Sequence, residues 1–152
     1  MNIEIREATL NDVAAIHGLN RDEMNYNCDI KLTEKKLSKL LESSADKVFV
    51  AVADSKVAGY IHANNYELLF APQWKNVMSI AVSSDYKRNG IGRALISAVE
   101  AWAKEEGAVA IHLVSGEERL GAHEFYKKCG FVNKKKQLNF KKENYKCLFI
   151  LQ

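Results

Sequence analysis

The chain has 152 residues, 47% of them hydrophobic and 27% charged, so it is long enough to bury one core and has an ordinary globular composition. A net charge of +3, one proline and no low-complexity tract argue against a disordered or strongly nucleic-acid-binding chain, and we expect one domain over residues 1–152. The first residues carry acidic side chains, and no apolar run approaches the ~20 residues of a membrane span, so we expect a cytoplasmic protein without a membrane partner.

The three cysteines, Cys28, Cys129 and Cys147, lie far apart, and their spacing is not typical of a metal site. Their odd number argues against a closed disulfide framework. We therefore interpret them as reduced thiols of a cytosolic protein and expect no bound metal.

The N-terminal part of the chain reads as one strand and two helices. Residues 3–7 alternate apolar and charged side chains, which predicts a short strand. Thr9 precedes Asp12 by three positions, and the apolar spacing that follows predicts a helix over residues 10–24. The polar residues 25–31 are expected to form a loop, and Thr33 is expected to cap the second helix.

The middle of the chain predicts a hairpin and then a central strand. Residues 47–53 and 57–64 read as two strands joined by a short turn, and Gly59 indicates a bulge or a close contact. Residues 66–75 are less regular. Their aromatic side chains Tyr66, Phe70 and Trp74 predict either the lining of a substrate cleft or a packed hairpin tip.

Residues 77–82 form an apolar run that predicts the central strand, and a basic, glycine-containing loop follows it. An amphipathic helix then begins at Ile91 and ends at Gly107. Residues 109–115 predict another strand, which a helix crossover would place parallel to the central one. Residues 118–129 predict a fourth helix stopped by Gly130, and residues 131–141 and 145–151 predict a closing antiparallel pair. The predicted fold is α+β with three layers: a mixed, mostly antiparallel sheet of about seven strands flanked by helices, in the order βααβββαβαββ.

The loop after the central strand admits several interpretations. A Walker A loop needs Lys-Ser or Lys-Thr after its last glycine, and Gly92 is followed by Arg93 and Ala94. A Rossmann fingerprint needs a small residue where Leu95 stands. A pyrophosphate loop with a basic first residue fits Lys87, Gly90 and Gly92, because glycine lets the backbone approach phosphate. An ordinary strand-to-helix turn is the fourth interpretation.

A second motif favours the pyrophosphate loop. Residues 122–131 read A-x-x-F-Y-x-x-x-G-F. With the K-x-x-G-I-G loop and the order of elements around it, the chain resembles the GNAT superfamily of N-acetyltransferases over its whole length. The A-x-x-F-Y part of this motif, with His123 directly after Ala122, is also similar to the corresponding motif of aminoalkylphosphonate and aminoglycoside acetyltransferases.

The resemblance implies acetyl-CoA as co-substrate. The backbone of the loop would hold the pyrophosphate, and the central strand would pair with the pantetheine arm. The tyrosine of the F-Y pair, Tyr126, would contact the cofactor and protonate the departing thiolate. The implied cofactor-binding residues are Ile80, Ala81, Val82, Lys87, Arg88, Asn89, Gly90, Ile91, Gly92, Arg93, Ala94 and Tyr126.

This chain departs from the family pattern in two places. Arg119 stands where many members have an asparagine that contacts the cofactor, and Met78 and Ser79 stand where many have a glutamate base. An amine must lose a proton before it attacks a thioester, so another group has to accept that proton. The candidates are Glu67, His62, His112 and Tyr66. We expect the catalytic residues to be Tyr126, Glu67 and His112.

The expected function is acetyl-CoA-dependent transfer of an acetyl group to a primary amine, most simply of a small molecule, by direct attack in a ternary complex. A protein amine as acceptor and a non-catalytic acyl-CoA-binding module are the alternatives. The lysines at 134–136 and 141–142 are interpreted as edge protection and not as a nucleic-acid surface. A homodimer is also compatible with the resemblance.

Overall fold

The computed structural model describes residues 1–144. In this range five strands and four helices follow one another as β1 (Ile3–Glu7), α1 (Val13–Met24), α2 (Ile30–Glu42), β2 (Asp46–Ala53), β3 (Lys56–Leu68), β4 (Ala71–Val82), α3 (Ile91–Glu105), β5 (Ile111–His112) and α4 (Leu120–Lys128). The chain divides into two compact units, residues 1–116 and 117–152.

The first unit is built on one five-stranded sheet with the strands in sequence order. The pairs β1–β2, β2–β3 and β3–β4 are antiparallel, whereas β4 and β5 are parallel. The α+β class with a mixed sheet is therefore confirmed, and so is the parallel pair on either side of α3. The expectation of seven strands is not confirmed: residues 131–141 form no strand, and residues 145–151 lie outside the described range.

Helices cover both faces of this sheet. One face buries Val48, Val50, Tyr60 and Ala81 against apolar residues of α1 and α2. Because strand side chains alternate, the residues between them point to the other face, where α3 packs. There Gly59 lies against Ile91 and Leu95 of α3. The three-layer arrangement thus holds for the first unit.

The second helix starts earlier than its sequence predicts. Asp29 caps it by accepting a hydrogen bond from the Lys31 backbone N–H at 2.9 Å, and the helix begins at Ile30. Thr33 lies inside the helix and is buried, so the prediction of Thr33 as the cap was wrong. Asp and Thr are both favoured N-cap residues, so Asp29 and Thr33 were both possible starts of this helix. The spacing of its leucines does not distinguish between them.

The stretch predicted to be irregular is a continuous hairpin. β3 runs to Leu68 and β4 begins at Ala71, so only Leu69 and Phe70 form the turn. Both turn residues are exposed. Tyr66 pairs directly with Trp74 across the two strands, which makes this end a packed aromatic hairpin.

The second unit contains α4. Its last turn closes when the Gly130 N–H donates to the Lys127 carbonyl at 3.0 Å and the Phe131 N–H donates to the Tyr126 carbonyl at 3.0 Å. Gly130 has φ of 94°, the left-handed conformation that ends a helix without strain at glycine. The predicted stop at this residue is confirmed. Among residues 1–144, no helix is both long and apolar enough to cross a membrane.

Candidate active site

The sheet opens along the second half of β4. β5 pairs with β4 only at Lys75 and Asn76. Within residues 1–144, β4 beyond Asn76 has no strand on its β5 side, although β3 still pairs with it on the other side as far as Val82. The backbone groups of Val77–Val82 on the open side are therefore available to an extended ligand, which would add to the sheet as another strand does.

A β-bulge lies where the opening begins. His62 is opposite Ser79 and Ala63 is opposite Val77, so Met78 is an extra residue on β4. A bulge bends its strand and increases the local twist, which turns β4 away from the line of β5. Met78, the extra residue of the bulge, is 54% exposed to solvent.

The loop after β4 ends at the N-terminus of α3. Arg88 and Gly90 have positive φ values of 66° and 79°, and Asn89 donates a hydrogen bond from its side-chain amide to the Tyr86 carbonyl at 3.1 Å. The first hydrogen bond of the helix runs from the Ala94 N–H to the Gly90 carbonyl at 3.0 Å. The N–H groups of Ile91 and Gly92 precede it and have no acceptor in the helix, as at any helix start.

The charge of this loop suits an anion. Lys87, Arg88 and Arg93 are exposed and basic, and the positive end of the helix dipole lies between them. Ile91 is 1% exposed and packs into the core, so it offers its backbone and not its side chain. A Cβ at Gly90 would meet no atom within 4 Å, so the space above the loop is open. These features fit a pyrophosphate.

The predicted residues His112 and Glu67 lie on opposite faces of the sheet. The His112 ring stacks on Tyr66 with centroids 5.0 Å apart, and its Nδ1 lies 2.8 Å from Asn76 Oδ1. Trp74 completes this aromatic cluster at 6.0 Å from His112. Glu67 points to the α3 face, where its carboxylate accepts a hydrogen bond from Gln73 Nε2 at 2.6 Å.

Tyr126 belongs to the second unit, on α4. It is buried, and burial raises the pKa of its hydroxyl, while the charge of Arg119 acts in the opposite direction. The ring packs edge-on against Phe131 with centroids 5.9 Å apart. The F-Y and G-F pairs of the sequence motif thus meet at the end of one helix.

A hydrogen-bonded Asp–His pair lies next to the bulge of β4. His62 Nε2 is 2.8 Å from Asp46 Oδ1, and both side chains are 16% exposed. The sequence pattern indicates His62 only as one of four candidate bases and gives no sign of Asp46. The two residues are 16 positions apart and meet through the register of β2 and β3, which the sequence pattern does not give.

A fully buried lysine, Lys75, was also missed. Its ammonium donates to Asn65 Oδ1 at 2.6 Å and to Gln73 Oε1 at 2.9 Å, and it forms an ion pair with Glu106. It lies 3.7 Å from the ring centroid of Trp102. This network joins β4 to the end of α3 and is a structural element on the face away from His112 and His62. Within residues 1–144, no cluster of His, Cys, Asp or Glu has the arrangement of a metal site.

Comparison with known proteins identifies the family. The model of the acetyltransferase (GNAT) family matches residues 13–131, so the chain belongs to the GNAT acetyltransferases. The expectation of an acyltransferase of the N-acetyltransferase type is confirmed.

Individual relatives agree with this assignment. The chain is 28% identical over 142 residues to an aminoglycoside N(6')-acetyltransferase type 1 of Stenotrophomonas maltophilia, covering 90% of this chain and 91% of that one. It is 32% identical over 97 residues to the uncharacterized N-acetyltransferase MJ1207 of Methanocaldococcus jannaschii, covering 62% of this chain and only 43% of the relative. The fold also matches the structure of AAC(6')-Iy in complex with the bisubstrate analogue CoA-S-monomethyl-acetylneamine, with a TM-score of 0.85, 17% identity, and coverage of 95% and 100%.

Proposed function

We propose that this protein transfers the acetyl group of acetyl-CoA to a primary amine of a small molecule. The observation that carries the proposal is the opening of β4 over Val77–Val82, which leads directly into a basic loop at a helix N-terminus. An extended ligand with a pyrophosphate at one end fits that combination. Relatives named for aminoglycoside acetylation support a small, cationic amine as acceptor.

The loop would hold the pyrophosphate of acetyl-CoA. We propose that the backbone N–H groups of residues 88–93 bind the phosphates, with Lys87, Arg88 and Arg93 adding charge around them. Asn89 supports the turn through its bond to Tyr86, and Ala94 donates the first hydrogen bond of the helix whose dipole points at the loop. The backbone of residues 80–82 would pair with the pantetheine arm. Acetyl-CoA supplies the thioester, whose carbonyl a β4 N–H would polarise.

The acceptor amine would meet the face of the sheet that carries His112. Glu67 lies on the other face with its carboxylate bonded to Gln73, so of these two predicted catalytic residues we propose His112 as the one that contacts the acceptor. The stacked rings of Tyr66 and Trp74 would line the same side, and aromatic faces attract an ammonium. Tyr126 remains our proposal for the group that protonates the leaving thiolate.

We propose that the protein works in the cytoplasm, on a small molecule and not on nucleic acid or a membrane surface. The lysines near the end of the described range support this, because acidic neighbours offset part of their charge. Lys136 pairs with Glu117 at 3.1 Å, and Lys141 pairs with Glu143 at 2.7 Å.

Thiol release from acetyl-CoA in the presence of a panel of primary amines tests the function. We expect at least one small amine to give turnover, and we expect Tyr126→Phe to lower kcat by about tenfold or more while acetyl-CoA still raises the melting temperature. Phe125→Leu is a suitable control, because it alters the neighbouring ring and keeps the hydroxyl. A wild-type protein whose melting temperature acetyl-CoA does not change would refute the proposal, and turnover of Tyr126→Phe at the wild-type rate would refute the role of Tyr126.

A further inference from the structure

We propose that His62, oriented by Asp46, accepts the proton of the acceptor amine beside the β4 bulge. This inference rests on the proposed function and assigns the one role that the family pattern leaves vacant in this chain, since Met78 and Ser79 occupy the positions where a glutamate would stand.

The carboxylate of Asp46 is fixed by hydrogen bonds on both oxygens. Ser43 Oγ donates to Asp46 Oδ2 at 2.7 Å, and His62 Nε2 lies 2.8 Å from Asp46 Oδ1. Ser43 is the C-cap of α2, and its backbone N–H donates to the Leu40 carbonyl at 3.1 Å. The carboxylate is therefore held between a helix end and a strand, and it cannot rotate away from the imidazole without breaking both bonds.

This arrangement selects one tautomer of His62. A carboxylate accepts and does not donate, so Nε2 carries the proton and Nδ1 carries the lone pair. In the part of the chain that the structure describes, Nδ1 has no protein hydrogen-bond partner. The side chain of His62 is 16% exposed.

His62 lies next to the opening of β4. It is directly opposite Ser79, so both side chains are on the same face, about 5 Å apart at Cβ. Ser79 follows the bulge residue Met78 and lies on the part of β4 that has lost its β5 partner. An amine at this open edge would give its proton to His62 directly or through one water.

Asp46 on β2 is the carboxylate that His62 contacts. On the same face of β3, Tyr60 donates a hydrogen bond to Asn20 Oδ1 of α1 at 2.5 Å. Burial raises the pKa of the Tyr60 hydroxyl, with hydrogen bonding to Ser79 and Asn20 acting in the opposite direction.

His112 is the less suitable base of the two histidines. Its Nδ1 faces the side-chain oxygen of Asn76, a neutral amide, and its ring is stacked on Tyr66. The carboxylate of Asp46 fixes which nitrogen of His62 carries the proton, whereas an amide can donate as well as accept. His112 is thus suited to contact the acceptor, and His62 to hold its proton.

The proton and the electrons balance in the following way. The ammonium of the acceptor gives one proton to His62 Nδ1 and becomes a neutral amine. Its nitrogen forms a bond to the thioester carbon, the carbon–sulfur bond breaks, and the electron pair of that bond leaves on sulfur. The second nitrogen proton is released to water, and the thiolate takes a proton to become the free thiol. His62 returns its proton to solvent before the next turnover.

The test is the pH profile of kcat/KM for the best amine at saturating acetyl-CoA, measured for matched variants. His62→Gln keeps a donor for Asp46 and removes the titrating nitrogen, so we expect kcat/KM near neutral pH to fall about 10²-fold or more. The rate of this variant should then rise steadily with pH as solvent deprotonates more of the amine. Asp46→Asn should also lower kcat/KM, by about tenfold or more, because His62 loses the carboxylate that fixes its orientation and tautomer.

A matched control exists in the same unit. His17 is also partly buried, with Nε2 2.8 Å from the Cys28 carbonyl, and His17→Gln keeps a donor to that oxygen. We expect this variant to keep the wild-type profile. If His62→Gln retains the wild-type acidic limb in an active protein, the assignment is refuted while the proposed function stands. If the wild type releases no thiol with any amine, the proposed function fails and the assignment fails with it.

A measurement without turnover guards against a variant that does not fold. Long-range proton–nitrogen NMR correlations of the wild-type imidazoles distinguish the two tautomers directly. We expect His62 in the form protonated at Nε2. A dominant Nδ1-protonated tautomer overturns the assignment.

Discussion

Gly59 is the position where the packing of the sheet leaves no room for a methyl group. A Cβ on this residue would lie 2.9 Å from the Ala81 carbonyl oxygen, 3.2 Å from Ile91 Cγ2 and 3.3 Å from Leu95 Cδ1. The first contact is with backbone, so no rotamer change relieves it. Overpacking of this kind costs about 1–3 kcal/mol. Replacing glycine with alanine restores about 0.4–1 kcal/mol by restricting the unfolded chain, which leaves Gly59→Ala about 1–2 kcal/mol less stable than the wild type.

Urea unfolding followed by far-UV circular dichroism measures this loss, and for a chain of this size the melting temperature should fall by about 2–8 °C. Because the clash pushes on Ala81 of β4 and on the start of α3, we also expect weaker binding of acetyl-CoA. Gly18→Ala is the matched control. Its Cβ would have Arg21 Nη2 as the nearest atom at 3.7 Å, an ordinary contact inside α1, so it should stabilise the protein slightly. A Gly59→Ala variant as stable as Gly18→Ala would refute the packing described here.

Three further predictions concern the loop, the acid side of the stability curve and the buried lysine. Gly90→Ala should cost about 1 kcal/mol of stability, because alanine is strained at a φ of 79°. It should also weaken acetyl-CoA binding in calorimetry by about tenfold, and unchanged affinity would argue against this loop as the pyrophosphate-binding site. Hydrogen bonding to Arg6 lowers the pKa of Asp12 below 3.8, so the stabilising effect of this ion pair is present above that pH and is lost as the pH falls through the lowered pKa. Asp12→Asn should therefore flatten the decline of urea stability between about pH 5 and pH 2, and a parallel curve would argue against it. Glu106→Gln should destabilise the fold by about 1–2 kcal/mol, a modest cost because Glu106 is 38% exposed while Lys75 is fully buried, and no change in the urea midpoint would argue against a stabilising contact between them.

The loop and the helix after it were predictable because their signals are local. The apolar positions of α3 repeat with the period of a helix, and the glycines of the loop occupy positions where the backbone needs positive φ or close approach. The residues from Ile91 to Trp102 that the pattern assigns to the core are in large part buried in the structure. The end of α4 at Gly130 follows from the same kind of rule.

The hairpin formed by β3 and β4 was only partly predictable. The predicted strand ended at residue 64, and residues 66–75, which include Pro72, read as less regular. In the structure Asn65 instead binds the ammonium of Lys75 across the hairpin. A lysine in a strand normally predicts a side chain exposed to solvent. Lys75 can be buried because four residues surround its ammonium: Asn65, Gln73, Glu106 and Trp102.

The pair of Asp46 and His62 could not be predicted from local pattern. Asp46 reads as a turn residue before β2, and His62 as one polar position in an alternating strand. Their meeting depends on the register of two strands and on the end of α2, and such register is set by tertiary packing. The same limit applies to the faces of the sheet, where Glu67 and His112 are separated although both lie close to the hairpin.

The central claim is that the opening of β4 and the loop after it serve acetyl transfer to an amine. The most direct measurement uses acetyl-CoA carrying an isotopic label in the acetyl group, with the best amine of the panel, and quantifies the free thiol and the labelled product by mass spectrometry. We expect one labelled, acetylated amine for each thiol released. In Gly90→Ala at low acetyl-CoA, we expect neither the thiol nor the labelled amine to form. Thiol release without labelled amine, or firm acetyl-CoA binding with no turnover on any amine, would contradict it.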